Sequence, residues 1–397
     1  MSSLRMPVGP ALVLALLALA GPARAQGQRH ALLVGVGAYT HGVPALEGPP
    51  YDIAALKKAL TDRWGFPAGN VKVLLDGQAT RANILAAVDD LSRSTRPNDF
   101  VFVYFSGHGT STYENSDLGI DGNSGAVVPA DFDLEAADPR EGLIVGSRDL
   151  RPRLEKIDKD RQVFVAFDSC YSGAAVRSLR AVGKPRFVAL PRPGGTRSVL
   201  SPEAGGDPGA APAAPYPYQN VIYISAASKA EAARDVTSVD IQAGRARTVD
   251  GNPHGAFTNA LLEGLGGAAN TNRDRMLTYG ELYQYVRDTV SQSFPHQPQL
   301  LAPAARQEAL LGQGVLGPRS GTAAAPQVAP SRGQAAPRPL EVKVENLPPA
   351  LAQKVLATRG VAASAGTYDL LVARERDGYR LYHGSGDLLA AYDASQS

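Results

Sequence analysis

The chain has 397 residues, 44% hydrophobic and 20% charged, the composition of a globular protein with an ample core rather than a fibrous or largely disordered one. Its formal net charge of +2 gives no bulk attraction for nucleic acid or an anionic membrane surface, so neither is expected as a partner. One residue in the whole chain is a cysteine, Cys170.

In chain order, the first feature is a secretory signal over residues 1–25. Arg5 supplies positive charge, Ala11 to Ala20 is unbroken apolar sequence, and Ala23-Arg24-Ala25 matches a small-residue cleavage site. The apolar run is short for a membrane span, so an exported chain, periplasmic or secreted, is expected to start near Gln26 with no span after signal removal; an uncleaved anchor is the alternative. Next come a short buried strand at His30 to Val36 and a helix over Asp52 to Leu60, with Ile53, Leu56 and Leu60 on one face. A strand at Val71 to Leu75 precedes a helix over Thr80 to Leu91 that opens on an N-cap threonine. Strand Phe100 to Phe105, a long loop, a short helix near Leu150 to Ile157 and strand Gln162 to Phe167 follow. Strand Val221 to Ser225 leads to helices at about His254 to Leu265 and Thr278 to Val290.

Strands alternating with helices, and strands that are nearly continuous in apolar residues, predict an α/β fold: a mainly parallel β-sheet flanked by helices on both faces. This domain is assigned to residues 26–312. Within it, residues 176–218 read as a flexible insertion rich in Pro, Gly and Ala. A Pro/Ala-rich linker at 313–339 leads to a small C-terminal α+β module at 340–397, with strand-like runs at Val342 to Val344, Tyr368 to Ala373 and Tyr379 to Tyr382.

Two of the apolar strands end in reactive side chains. Phe100 to Phe105 runs into Ser106-Gly107-His108-Gly109, and Gln162 to Phe167 runs into Asp168-Ser169-Cys170-Tyr171. In parallel sheets ligands bind beyond the carboxyl ends of strands, so both side chains are expected at one edge. A thiol beside an imidazole is the equipment of nucleophilic catalysis. Export strengthens this, because an unpaired thiol in an oxidising compartment needs a reason. An inert buried thiol or an intermolecular disulfide is the plainer alternative.

The ordered motifs Ala31 to Val36, Tyr104 to Gly109, Val127 to Asp131, Asp168 to Gly173, Ile224 to Ser228 and Gly255 to Thr258 resemble those of caspase-family cysteine peptidases, most of all the bacterial metacaspase-like ones. The likeness covers Arg29 to Ala302. It implies a cysteine endopeptidase with Cys170 as nucleophile, His108 as acid and base, and the backbone amides of Gly109 and Cys170 as the oxyanion hole. It further implies Asp168 as a substrate-binding carboxylate that pairs with Arg or Lys and rejects Asp. Asp168 forming only a local turn bond is the plainer reading.

A second pocket aspartate is expected near Ser228, where the chain has Lys229; Glu231 and Asp235 are the nearby replacements. The insertion carries Arg177, Arg180, Lys184, Arg186, Arg192 and Arg197, which are either candidate self-processing sites or charges on a solvated linker. Protein or peptide substrates are the expected partners. No cofactor is required. Calcium activation is left unassigned: Asn270, Asn272, Asp274 and Glu281 have calcium-loop spacing, but Arg275 stands where the turn wants glycine. Thr278 and Glu281 also read as a capping box, and Asp117, Asp121 and Asp131 are further oxygen donors. The rival reading is a caspase-fold scaffold that has lost turnover.

Overall fold

The computed structural model describes residues 27–111, 125–170, 182–190, 216–228, 231–272, 274, 276–316, 340–357, 361–364, 370–375, 378–383 and 388–393. The signal segment, Asp117, Asp121, Lys229 and the insertion's Arg177, Arg180, Arg192 and Arg197 lie outside these residues. The chain divides into two compact units after Gln327.

In the first unit, six strands form one sheet in the order β12-β9-β7-β3-β1-β2. They are β1 (Arg29–Gly35), β2 (Val71–Leu75), β3 (Phe100–Ser106), β7 (Gln162–Asp168), β9 (Val221–Ser225) and β12 (Gln299–Leu301). All neighbours are parallel except the edge pair β9–β12. Side chains alternate between the two faces, and both are covered. Ala31, Leu33, Phe102, Tyr104 and Phe164 pack with buried residues of α1 (Gly48–Asp62), α5 (Ala256–Glu263) and α6 (Tyr279–Ser293). Leu32, Val34, Val101, Val103, Val163 and Val165 pack with α2 (Arg81–Ser94) and α3 (Arg151–Asp158) on the other face. Each fully buried Leu, Val or Phe here contributes about 1.5–3 kcal/mol.

The expected strands and helices recur with small shifts. Thr80 caps α2 by accepting a hydrogen bond from the Asn83 amide, and Thr278 with Glu281 forms the capping box of α6. His254 and Gly255, expected within a helix, instead form strand β11. It pairs antiparallel with β10 (Arg234–Val236), because His254 is held by carboxylates on either side before the chain turns into α5.

Two small sheets flank the carboxyl edge. One has the order β4-β5-β6, from β4 (Gly109–Ser111), β5 (Gly125–Val127) and β6 (Ile144–Val145). The other has the order β11-β10-β8, where β8 is Lys184–Pro185. Residues 182–190, expected in a flexible insertion, are therefore paired structure. Among the described residues of this unit, α4 (Ser238–Gln242) and α7 (Gln307–Leu311) are two further short α-helices.

The second unit holds a five-stranded sheet in the order β14-β13-β15-β16-β17, with α8 (Pro349–Leu356) joining β13 (Leu340–Glu345) to its parallel neighbour β14 (Val361–Ala363). β15 (Leu370–Glu375), β16 (Gly378–His383) and β17 (Leu388–Asp393) form an antiparallel meander.

Candidate active site

Sheet register puts the two reactive residues side by side. Ser106 of β3 is paired with Asp168 of β7, so His108 and Cys170 each lie two residues beyond a matched pair of strand ends. Both are buried, at 1% and 0% exposure. A Cβ on Gly109 would fall 2.0 Å from the Cys170 carbonyl oxygen, so only glycine lets the two turns approach this closely.

The imidazole is fixed from two directions. Its Nε2 bonds the Pro44 carbonyl at 2.8 Å, and the His108 backbone N–H donates to the Tyr39 hydroxyl, which in turn donates to the Val128 carbonyl. Nδ1 makes no hydrogen bond. Burial drives the imidazole down to about 4 despite the Pro44 bond, and drives the Cys170 thiol up to about 12. Both groups are thus neutral, and the Cys170 thiol donates to the Ala233 carbonyl at 3.5 Å.

Arg186 lies between the two turns. Its carbonyl oxygen accepts hydrogen bonds from the backbone N–H groups of Gly109, at 3.0 Å, and Cys170, at 3.4 Å. Its own N–H donates to the Ala233 carbonyl, the same oxygen that receives the thiol. The Arg186 side chain is fully buried and meets three carboxylates: Asp52 at 2.9 Å, Asp168 at 3.2 Å and Asp235 at 2.8 Å. Its guanidinium also donates to the Ser106 hydroxyl and the Asp168 carbonyl.

Each carboxylate is itself held. Asp52 accepts from Ser106, the Gly255 amide and His254; Asp168 accepts from the amide and hydroxyl of Thr258; Asp235 accepts from the Glu47 and Gly48 amides. Three carboxylates share one guanidinium, and they titrate apart. Asp52, with both Arg186 and His254 against it, stays below the usual carboxylate range although burial opposes this. Asp168, buried beside Asp52, is raised to about 6, and burial also raises Asp235.

Of the residues singled out in the sequence, Cys170, His108, Gly109 and Asp168 converge on one point. Asp235 joins them, while Glu231 does not: its carboxylate accepts from Ser228 and the Gln297 amide. Lys184 is exposed, 3.9 Å from Glu47. Asp52, Ser106 and Tyr39 are not among the site residues singled out in the sequence, and His254, a histidine whose sequence setting is not comparable to that of His108, joins the site through Asp52. Asp52 carried a usable signal, a carboxylate beside Ile53 at the start of a helix whose next turns are apolar.

Apart from Asn270, the described oxygen donors of the calcium-spaced loop make local hydrogen bonds. Glu281 caps α6, Asp274 accepts from Met276, Asn272 accepts from Asp274, and Asp131 accepts from the Arg81 amide. Asn270 Oδ1 is buried without a hydrogen-bond partner. Among the described residues no group of three or more His, Cys, Asp or Glu side chains is arranged to hold a metal, and no helix is long and apolar enough to cross a membrane.

Residues 28–310 match the caspase domain family. The chain is 26% identical to metacaspase-1A of Aspergillus oryzae over 295 residues, covering 69% of this chain and 67% of that one. It is 27% identical to metacaspase-1 of Ajellomyces capsulatus over 295 residues, 69% of this chain and 79% of the relative. Against metacaspase-6 of Arabidopsis thaliana the identity is 31% over 157 residues, 37% of this chain and 39% of the relative. With a caspase domain spanning its first unit, the chain belongs to the caspase family of peptidases, as a cysteine endopeptidase.

Proposed function

We propose that the enzyme cuts peptide bonds on the carboxyl side of Arg or Lys, with Cys170 as nucleophile and His108 as proton carrier, and that its own Arg186–Phe187 bond is one of them. What supports this reading is the position of Arg186. Its guanidinium fills a pocket of three carboxylates while its carbonyl oxygen accepts from two backbone amides beside the thiol. That is the pose a substrate needs.

The chemistry follows from those contacts. Cys170 passes its proton to His108 as the sulfur attacks the carbonyl carbon, and the displaced electron pair moves onto oxygen, held by the Gly109 and Cys170 amides. Collapse breaks the C–N bond, and His108 gives the proton to the leaving amine. Water then loses a proton to His108 and attacks the thioester. Breaking the C–S bond frees the new carboxyl group, and the proton returns to the thiolate. Specificity comes from charge: Arg presents a fork to the carboxylates, Lys a single ammonium, and Asp would add a fourth carboxylate to three.

Fluorogenic peptides ending in Arg, Lys or Asp, with calcium as a variable and Cys170→Ala as control, test the reaction. Cys170-dependent release from Arg and Lys but not Asp is expected. Asp-only cleavage would overturn the pocket assignment. Intact mass should show fragments split after Arg186 in the wild type and an uncut chain in Cys170→Ala; identical single masses would remove the self-processing claim.

A further inference from the structure

We infer that the apolar pocket now holding Val188 is a leaving-side specificity site, which selects substrates with an aliphatic side chain two residues beyond the cut bond. This rests on the reading that the bond after Arg186 lies in the reacting position. Gly109 and Thr110 then serve both sides of the cut. The Gly109 N–H bonds the Arg186 carbonyl, the Gly109 carbonyl accepts from the Val188 N–H at 3.0 Å, and the Thr110 hydroxyl donates to the Val188 carbonyl at 2.7 Å. Phe187 pairs with Gly109 in a parallel bridge. Any peptide whose carbonyl takes the place of Arg186's must carry its next residues along this same strand.

Along that path the burial is selective. Between Gly183 and Leu190 only Arg186 and Val188 are buried; Lys184, Pro185 and Ala189 are exposed. Val188 is 3% exposed and packs among Val43, Val128, Phe132, Leu143 and Val145, a cluster separate from the two cores on the sheet faces. The buried walls are hydrocarbon, and the hydroxyl of the adjoining Tyr39 is already bonded to the Val128 carbonyl and the His108 amide, so a charged or amide side chain entering here would lose its water and gain no ready partner. Two anchors therefore straddle the bond, a cation in a carboxylate pocket before it and an aliphatic side chain in a dry pocket after it. The first sets where the cut falls; the second sets which basic residues qualify.

The test uses the full-length enzyme and internally quenched peptides carrying its own sequence, Lys-Pro-Arg-Phe-Val-Ala-Leu, with Val kept or replaced by Ala or Asp. An Arg aminocoumarin amide, which has no leaving-side residues, reads the acyl side alone. The expected order of kcat/KM is Val over Ala by about tenfold or more, with Asp lower still, since one or two methylenes in a fitted pocket are worth about 10–200-fold. Equal rates for the three peptides, with the aminocoumarin amide cleaved, would overturn the leaving-side site and spare the Arg reading. Cleavage of none of them, the amide included, would overturn both.

Discussion

Cys170 and His108 are held in the least reactive form of a thiol–imidazole pair, and the main cause is burial. With the thiol at about 12 and the imidazole at about 4, almost no thiolate exists at neutral pH. Arg186 lies against both turns, its carbonyl bonded to the Gly109 and Cys170 amides; its positive charge disfavours the imidazolium and favours the thiolate, and burial outweighs the second effect. Removing that side chain should readmit water, bringing both groups back toward ordinary values. On uncut protein, Arg186→Ala is expected to speed iodoacetamide alkylation of Cys170 by about tenfold or more, since the thiolate alone reacts and access limits it. Lys184→Ala, a change at an exposed neighbour, should leave the rate as it is. Equal alkylation of wild type and Arg186→Ala would mean that the segment does not guard the thiol. The alkylation rate, read by mass spectrometry, decides it.

At the scale of elements, the sheet was legible in the sequence because each central strand carries a nearly continuous apolar run. Phe100–Ser106 is buried along its whole length, and a pattern of that kind has one meaning in an α/β chain. The short strands β4, β5, β6, β8 and β10 were not legible, since pairs of two or three residues take their structure from partners distant in sequence. The same holds for the pocket. Asp52, Asp168 and Asp235 stand on α1, β7 and β10, and no spacing rule joins them. His254 on β11 ties this assembly together, bonding Asp52 through Nδ1 at 2.8 Å and Asp250 through Nε2 at 3.0 Å. Burial opposes its charge, yet the two carboxylates raise it above the ordinary 6.5. A base raised on folding adds stability that is complete below 6.5 and is lost as pH rises through the raised value. Between pH 6 and 9 the wild type should therefore lose more thermal stability than His254→Asn, which has no such proton to lose. Parallel melting curves for the two proteins would contradict this link between β11 and α1.

Across the whole molecule, the bond after Arg186 divides the central sheet without dividing the fold. Strands β2, β1, β3 and β7 come before it in sequence, and β9 and β12 come after. β7 and β9 are neighbours over five matched pairs, Val163 with Val221 through Phe167 with Ser225. Helices α5 and α6, also beyond the proposed cut, cover one sheet face with Phe257, Leu261, Leu282 and Val286, all fully buried. At about 1.5–3 kcal/mol for each such side chain, the buried face outweighs what one broken peptide bond releases in chain freedom. Cleavage should thus produce two bands on a denaturing gel but one species of unchanged size on native size exclusion, and the two should part only in denaturant. Fragments that separate in native buffer would show that continuity of the chain, rather than the shared sheet, holds the halves together. The two-chain form would also keep its carboxylate pocket intact, because Asp52 and Asp168 lie on one fragment and Asp235 on the other, brought together by that same sheet.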